Sequence, residues 1–172
     1  MVTESAVIEG LLSKTAGTVR VEVEIEDRQE TRTIEVEGGN LDAILKAIHA
    51  LAALEDVHVF ERDKDDPIGV ETEKKKVISV IAHRCKTVLV KVNYDHLTKD
   101  NTFPPSATVF RVLHWAIGKK GFNLDDTAKA KANLMLPGAS DPLPKDAVIG
   151  RFVKHRDCSL TLELTLKDFT NG

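Results

Sequence analysis

The sequence predicts an α+β protein in which one small architecture occurs twice, and three observations lead to that reading. Runs of alternating apolar and polar residues recur in both halves of the 172-residue chain, as half-buried strands require. In each half, two such runs precede one amphipathic helical stretch and two more follow it. The halves also differ in charge: residues 1–84 carry 11 Lys and Arg against 18 Asp and Glu, whereas residues 85–172 carry 13 against 9. Opposite signs predict two domains with different surfaces and an attractive contact between them.

In the first half, Ala6–Leu12 is apolar but too short to assign. Thr18–Ile25 alternates cleanly, with Val19, Val21, Val23 and Ile25 on one face. The polar Asp27–Glu30 turn and the alternating Thr31–Glu37 run complete an antiparallel hairpin. Gly38 and Gly39 break it. Asn40 is then a suitable N-cap for a helix from Leu41 to Ala52, whose Leu41, Ile44, Leu45, Ile48 and Leu51 form one apolar stripe. Val57–Phe60 reads as a short strand, Asp63–Pro67 as a solvated loop and Lys76–Ala82 as a last strand.

The second half repeats this order. Thr87–Tyr94 is a strand and Leu97–Phe103 its returning partner. Thr108 caps a helix, Val109–Ile117, that Gly118 helps to end, and Phe110 and Trp115 read as its core and flank. Asn133–Leu136 is a strand, Pro137–Pro142 a turn and Ala147–Phe152 a short helical turn. In the closing strand Leu160, Leu162, Leu164 and Leu166 alternate with Thr161, Glu163, Thr165 and Lys167. The first core is expected to contain Val19, Val21, Val23, Ile34, Val36, Ile44, Leu45 and Ile48. The second is expected to contain Val88, Val90, Val92, Val109, Val112, Leu134, Leu136, Leu160, Leu162 and Leu164. Ala82–Thr87 holds no Gly, Pro or Ser-rich spacer, so the domains are expected at 1–85 and 86–172, with restricted relative motion.

Several function classes recede. No apolar run approaches the roughly 20 residues of a membrane span, and the N-terminus lacks the layout of a secretory signal. The modest basic excess of the second half carries no aromatic-rich stripe, which argues against nucleic-acid binding. The six histidines show no metal-ligand spacing, and Gly38-Gly39 lacks the further residues of a phosphate loop. No metal or cofactor is expected. Cys85 and Cys158 form no CxxC pair; free thiols in a cytoplasmic protein are the simplest account, and one disulfide between them stays open. Neither cysteine is read as a nucleophile.

The second half resembles ubiquitin and the β-grasp ubiquitin-like family. The likeness lies in a hairpin followed by Pro104-Pro-Ser-Ala-Thr-Val109 and an amphipathic helix, in Asn133-Leu-Met-Leu-Pro-Gly138, and in Asp157-Cys-Ser-Leu-Thr-Leu-Glu-Leu-Thr-Leu166. Residues 18–84 match the β-grasp order alone. The whole chain thus resembles a tandem, two-domain ubiquitin-like modifier (ββαββ in each domain), as in the interferon-induced modifier of vertebrates and in bacterial antiphage conjugation operons.

The resemblance implies conjugation through the carboxylate of Gly172. An activating enzyme with ATP, a conjugating enzyme and a deconjugating peptidase would be partners, and Lys167, Asp168, Phe169, Thr170 and Asn171 the tail they read. A glycine passes through a narrow channel and offers an unhindered carbonyl. The protein itself would be no enzyme; a target protein would accept it. Three departures from ubiquitin stand out. The end is Asn171-Gly172, Thr165 replaces the tail arginine, and Glu163 falls in the apolar surface patch, near Met135 and Thr161. Dedicated enzymes are therefore expected rather than generic ubiquitin receptors. The alternative is a non-conjugated binding or regulatory module, suggested by the Gly38-Gly39 turn and the helix after it. A sulfur carrier fits less well, because such carriers are single domains ending in Gly-Gly. Self-association through exposed sheet edges stays open.

Overall fold

The alternating valines of the first half form the centre of a four-stranded sheet. β1 (Thr18–Ile25) pairs antiparallel with β2 (Thr31–Glu37) and parallel with β4 (Val77–His83), and β3 (His58–Glu61) lies antiparallel against the other side of β4. The parallel register sets Val21 beside Ile78 and Val23 beside Val80. A parallel pair needs a long crossover, and α1 (Leu41–Ala52) lies in it, burying Ile44, Ile48 and Ala52. The Asn40 side chain accepts the Ala43 N–H at 2.8 Å, satisfying a first-turn donor. The structure is a computed structural model, in which residues 17–28, 30–38, 40–69, 75–154 and 156–167 are described. The Ala6–Leu12 stretch lies outside them.

The second half builds the same sheet. β5 (Val88–Tyr94) pairs antiparallel with β6 (Leu97–Phe103) and parallel with β8 (Ser159–Thr165), and β7 (Asn133–Met135) pairs antiparallel with β8. α2 (Val109–Ile117) turns Val109, Val112, Leu113 and Ala116 inward, and the Thr108 hydroxyl accepts the Arg111 N–H at 3.2 Å. Both modules thus place a parallel pair at the sheet centre with a helix in the connection, which is the β-grasp topology.

The predicted core is largely the observed one, although Ile34, Leu45 and Leu136 are only partly buried. Ile25, Val59, Ile78, Val80, Phe103 and Leu113 join it. Each fully buried large apolar side chain contributes about 1.5–3 kcal/mol, so Ile48→Ala at the wholly buried centre of α1 is the type of change that would undo the first module.

Three features depart from the sequence reading. The second module has a further helix, α3 (Asp126–Lys131), capped by Asp125 and lacking any buried residue; without an apolar stripe, periodicity had nothing to find. Phe110 is not core: it is 58% exposed and stacks on His114, with ring centroids 6.2 Å apart. Only Trp115 flanks the core, edge-on to Phe103 at 5.8 Å. The cysteines are not free thiols, because Cys85 and Cys158 form a disulfide. Cys85 packs into the second core, and that burial brings it against the start of β8.

Candidate functional site

β8 leads toward the C-terminus from the middle of the second sheet, so its placement governs where the predicted tail begins. Leu160, Leu162 and Leu164 point into the core, while Thr161 and Glu163 face solvent. The strand exit is tied down locally. The Thr165 hydroxyl accepts the Lys167 N–H at 3.1 Å, and the Asn133 side-chain amide donates to the Lys167 carbonyl at 3.4 Å. Thr165, which the resemblance aligned with the tail arginine of ubiquitin, is the last residue of β8. Lys167 is exposed; Asp168, Phe169, Thr170, Asn171 and Gly172 lie outside the described residues.

The patch predicted from the resemblance is brought together. Met135 and Glu163 are partners across the β7–β8 pair, and Thr161 follows on the same face, opposite Lys91, which in turn lies opposite Asp100. Met135 is half-buried, Leu89 is exposed at one end of this face opposite Ser159, and Thr161, Glu163, Lys91 and Asp100 between them are polar or charged. It suits recognition by charge and hydrogen bonding more than an apolar contact.

The side chains that sequence reasoning missed lie at the junction of the two modules. Phe60, Ile81 and Val148 form a small buried cluster across it. At one side Arg111 of α2 lies 3.6 Å from Asp63 and also pairs with Asp65, both in the loop after β3, and Arg151 lies 3.2 Å from Glu24 of β1. In each pair the acid comes from the first module and the base from the second, as the charge asymmetry predicts. The Ser106 hydroxyl donates to the Lys64 carbonyl, and the Asp63 N–H to the Ser106 carbonyl at 2.8 Å.

Around the connecting segment the network is denser. Glu26 accepts from the Arg84 N–H at 2.6 Å and from its guanidinium at 2.8 Å. The fully buried His83 ring accepts the Cys85 N–H at Nδ1, 2.9 Å away, which places the proton on Nε2; that atom donates to the Val153 carbonyl at 3.1 Å. Burial pushes the His83 pKa down, against the raising effect of Glu26 and the backbone bonds. Burial also acts to raise Glu26, but the hydrogen bonds and charge of Arg84 outweigh it, leaving its pKa lowered. Glu24 is raised, because burial there exceeds the attraction of Arg151 and Arg62. Charge asymmetry and cysteine count were the only sequence signals of this junction.

Among the described residues, no group of three or more His, Cys, Asp or Glu could hold a metal ion, and no helix is long and apolar enough to cross a membrane. No curated protein matches the chain. Residues 89–167 match the family model described as BilA ubiquitin-like domain 2, and this span runs from the first strand of the second module through the exit of its last. With its β-grasp topology and this match, the second module is a ubiquitin-like domain similar to that family, and the chain is a ubiquitin-like protein.

Proposed function

We propose that the protein is a ubiquitin-like modifier of two domains, 1–85 and 86–172, conjugated through Gly172. The observation that carries this reading is the family match over residues 89–167. β8 adds to it as a closing strand whose exit leads into the predicted tail. An activating enzyme adenylates the Gly172 carboxylate with ATP, releasing pyrophosphate, and a cysteine thiolate then displaces AMP from the acyl-adenylate to form a thioester. An amine of the target then attacks the thioester carbonyl, forming the amide and releasing the thiol. Lys167, Asp168, Phe169, Thr170 and Asn171 are read by the activating, conjugating and deconjugating enzymes. The polar face around Met135, Thr161 and Glu163 serves partners dedicated to this protein. The modifier works in the cytoplasm, in antiphage defence, and catalyses nothing itself. The first domain is a bulky acidic extension held against the second.

An immunoblot of N-terminally tagged protein in its native host, with wild type beside a Gly172 deletion, tests the proposal. Heavier species that survive boiling and reductant and vanish with Gly172 support it. A single band at monomer mass in both strains, with neighbouring genes expressed, would favour the non-conjugated binding module.

A further inference from the structure

The disulfide bridges two segments that matter to the whole molecule. Cys85 lies in the segment joining the modules, two residues after His83, and Cys158 immediately precedes β8. Between them they gather a closed set of contacts. The Cys85 N–H donates to His83, His83 donates to Val153, and the Leu89 N–H donates to the Cys158 carbonyl at 2.9 Å. The bond therefore holds the junction and the root of the closing strand in one covalent unit.

Its two residues are not equally buried. Cys85 is buried at 1% exposure, whereas Cys158 is partly exposed and follows a turn in which the Asp157 and Cys158 N–H groups both donate to the Lys154 carbonyl. That turn borders a cleft of about 380 Å³ lined by Arg28, Arg84, Lys154 and Arg156, with Glu26 and Asp27 opposing them. Arg84 is engaged by Glu26, while Lys154 and Arg156 are exposed and make no ion pair among the described residues. Cys158 is the more accessible of the two bridged residues, and the uncommitted cations just before it in the chain favour the approach of an anionic thiolate.

From this geometry we propose that Cys85–Cys158 is a thiol–disulfide exchange site, opened by a dithiol reductant at Cys158, whose state sets whether the modules are covalently locked. This goes beyond the modifier reading and does not depend on it. The reductant's thiolate attacks the Cys158 sulfur, and the S–S electron pair leaves on Cys85, which takes up a proton. The reductant's second thiol then displaces Cys158 from the mixed disulfide. In sum the protein gains two electrons and two protons, and the reductant becomes a disulfide. Reduction frees the link between β4 and β5, which carries Cys85, from Cys158 while both sheets persist.

The test uses the full chain with dithiothreitol as the dithiol. Oxidised protein should show no maleimide-reactive thiol. Reduction should expose two with unchanged far-ultraviolet circular dichroism, and should speed amide exchange at Cys85 at least about tenfold, with β1, β4 and β5 still protected. In a Cys85→Ser background, glutathione disulfide should modify Cys158, and Lys154→Glu with Arg156→Glu should slow that reaction about threefold or more. In a Cys158→Ser variant the buried Cys85 should be modified at least about threefold more slowly than Cys158 is. Thiols still free after air oxidation, equal exchange in both states, collapse of the fold on reduction, or no response to charge reversal would each overturn the proposal.

Discussion

His83 and Val153, 70 positions apart in sequence, meet across the module junction, the His83 Nε2 donating to the Val153 carbonyl at 3.1 Å. Because Nδ1 accepts the Cys85 N–H at 2.9 Å, the neutral ring is fully used, and a second proton would displace that bond. One buried imidazole thus joins the last strand of the first module to the connecting segment and to the second module.

The junction should weaken in mild acid. Besides these backbone partners, His83 faces Glu26 and Arg84, and burial holds its pKa below the ordinary 6.5. As pH falls below about 6.5 the unfolded ring takes up a proton that the folded ring resists, so stability present above that pH is lost toward the folded pKa. The lowered Glu26 adds a loss below its ordinary 4.5. The raised Glu24 acts oppositely: its contribution is present below 4.5 and fades as pH rises through its folded pKa. Urea unfolding at about pH 7.5 and about pH 5.5 should show wild type losing stability between them. His83→Phe should cost roughly 1–3 kcal/mol at the higher pH, by orphaning its partners, and should show a smaller loss between the two. Equal pH slopes in both proteins would refute the assignment.

The Glu24–Arg151 pair, 3.2 Å apart with side chains 10% and 26% exposed, should behave as a partly buried ion pair. Arg151→Met leaves a carboxylate facing the second module unpaired and is expected to cost roughly 1–3 kcal/mol. Adding Glu24→Gln should recover at least half of that loss in a double-mutant cycle. Arg111 with Asp63 and Asp65 is more exposed, and its removal should cost under about 1 kcal/mol. A larger loss at Arg111 than at Arg151 would invert this ranking.

Gly150 is required by close approach. A Cβ there would lie 2.6 Å from the Ile81 Cδ1 atom, 2.9 Å from the Pro105 carbonyl oxygen and 3.0 Å from His83. The isoleucine tip can move, but the backbone oxygen, which also accepts the Gly150 N–H at 2.8 Å, cannot. Gly150→Ala should therefore destabilise by roughly 1–3 kcal/mol. Small-angle scattering should show the modules less closely docked, and an unchanged denaturation midpoint would contradict the reading.

Ala53 ends α1 in the left-handed region, with φ 55°, its N–H bonded to the His49 carbonyl. Arg28 reaches the carbonyl of the preceding Ala52 at 3.2 Å and places a cation at the helix C-terminus, where the dipole favours one. An alanine pays for that conformation in strain, and Ala53→Gly should raise stability by about 1 kcal/mol. Thermal unfolding checks this, with a fall in midpoint as the contrary result.

Legibility varied with the range of the interaction. Both helices with an apolar stripe, their caps at Asn40 and Thr108, and the alternating strands could be read because their periods lie within a dozen residues. Phe110 misled because an aromatic residue in a helix satisfies the composition of a core position without sharing its face. α3 was invisible because it buries nothing. Of the proposed site, the resemblance set Met135 and Glu163 near one another, and the β7–β8 register makes them cross-strand partners.

The sequence by itself determined the two α+β modules, their opposite charges and the residues facing each core, since local spacing decides which side of a strand or helix avoids water. Only the tertiary structure decided the Cys85–Cys158 bond, the burial of His83 and the pairing of Glu24 with Arg151. These join residues far apart in the chain, and such contacts form only after both sheets are built and docked, so no local period records them.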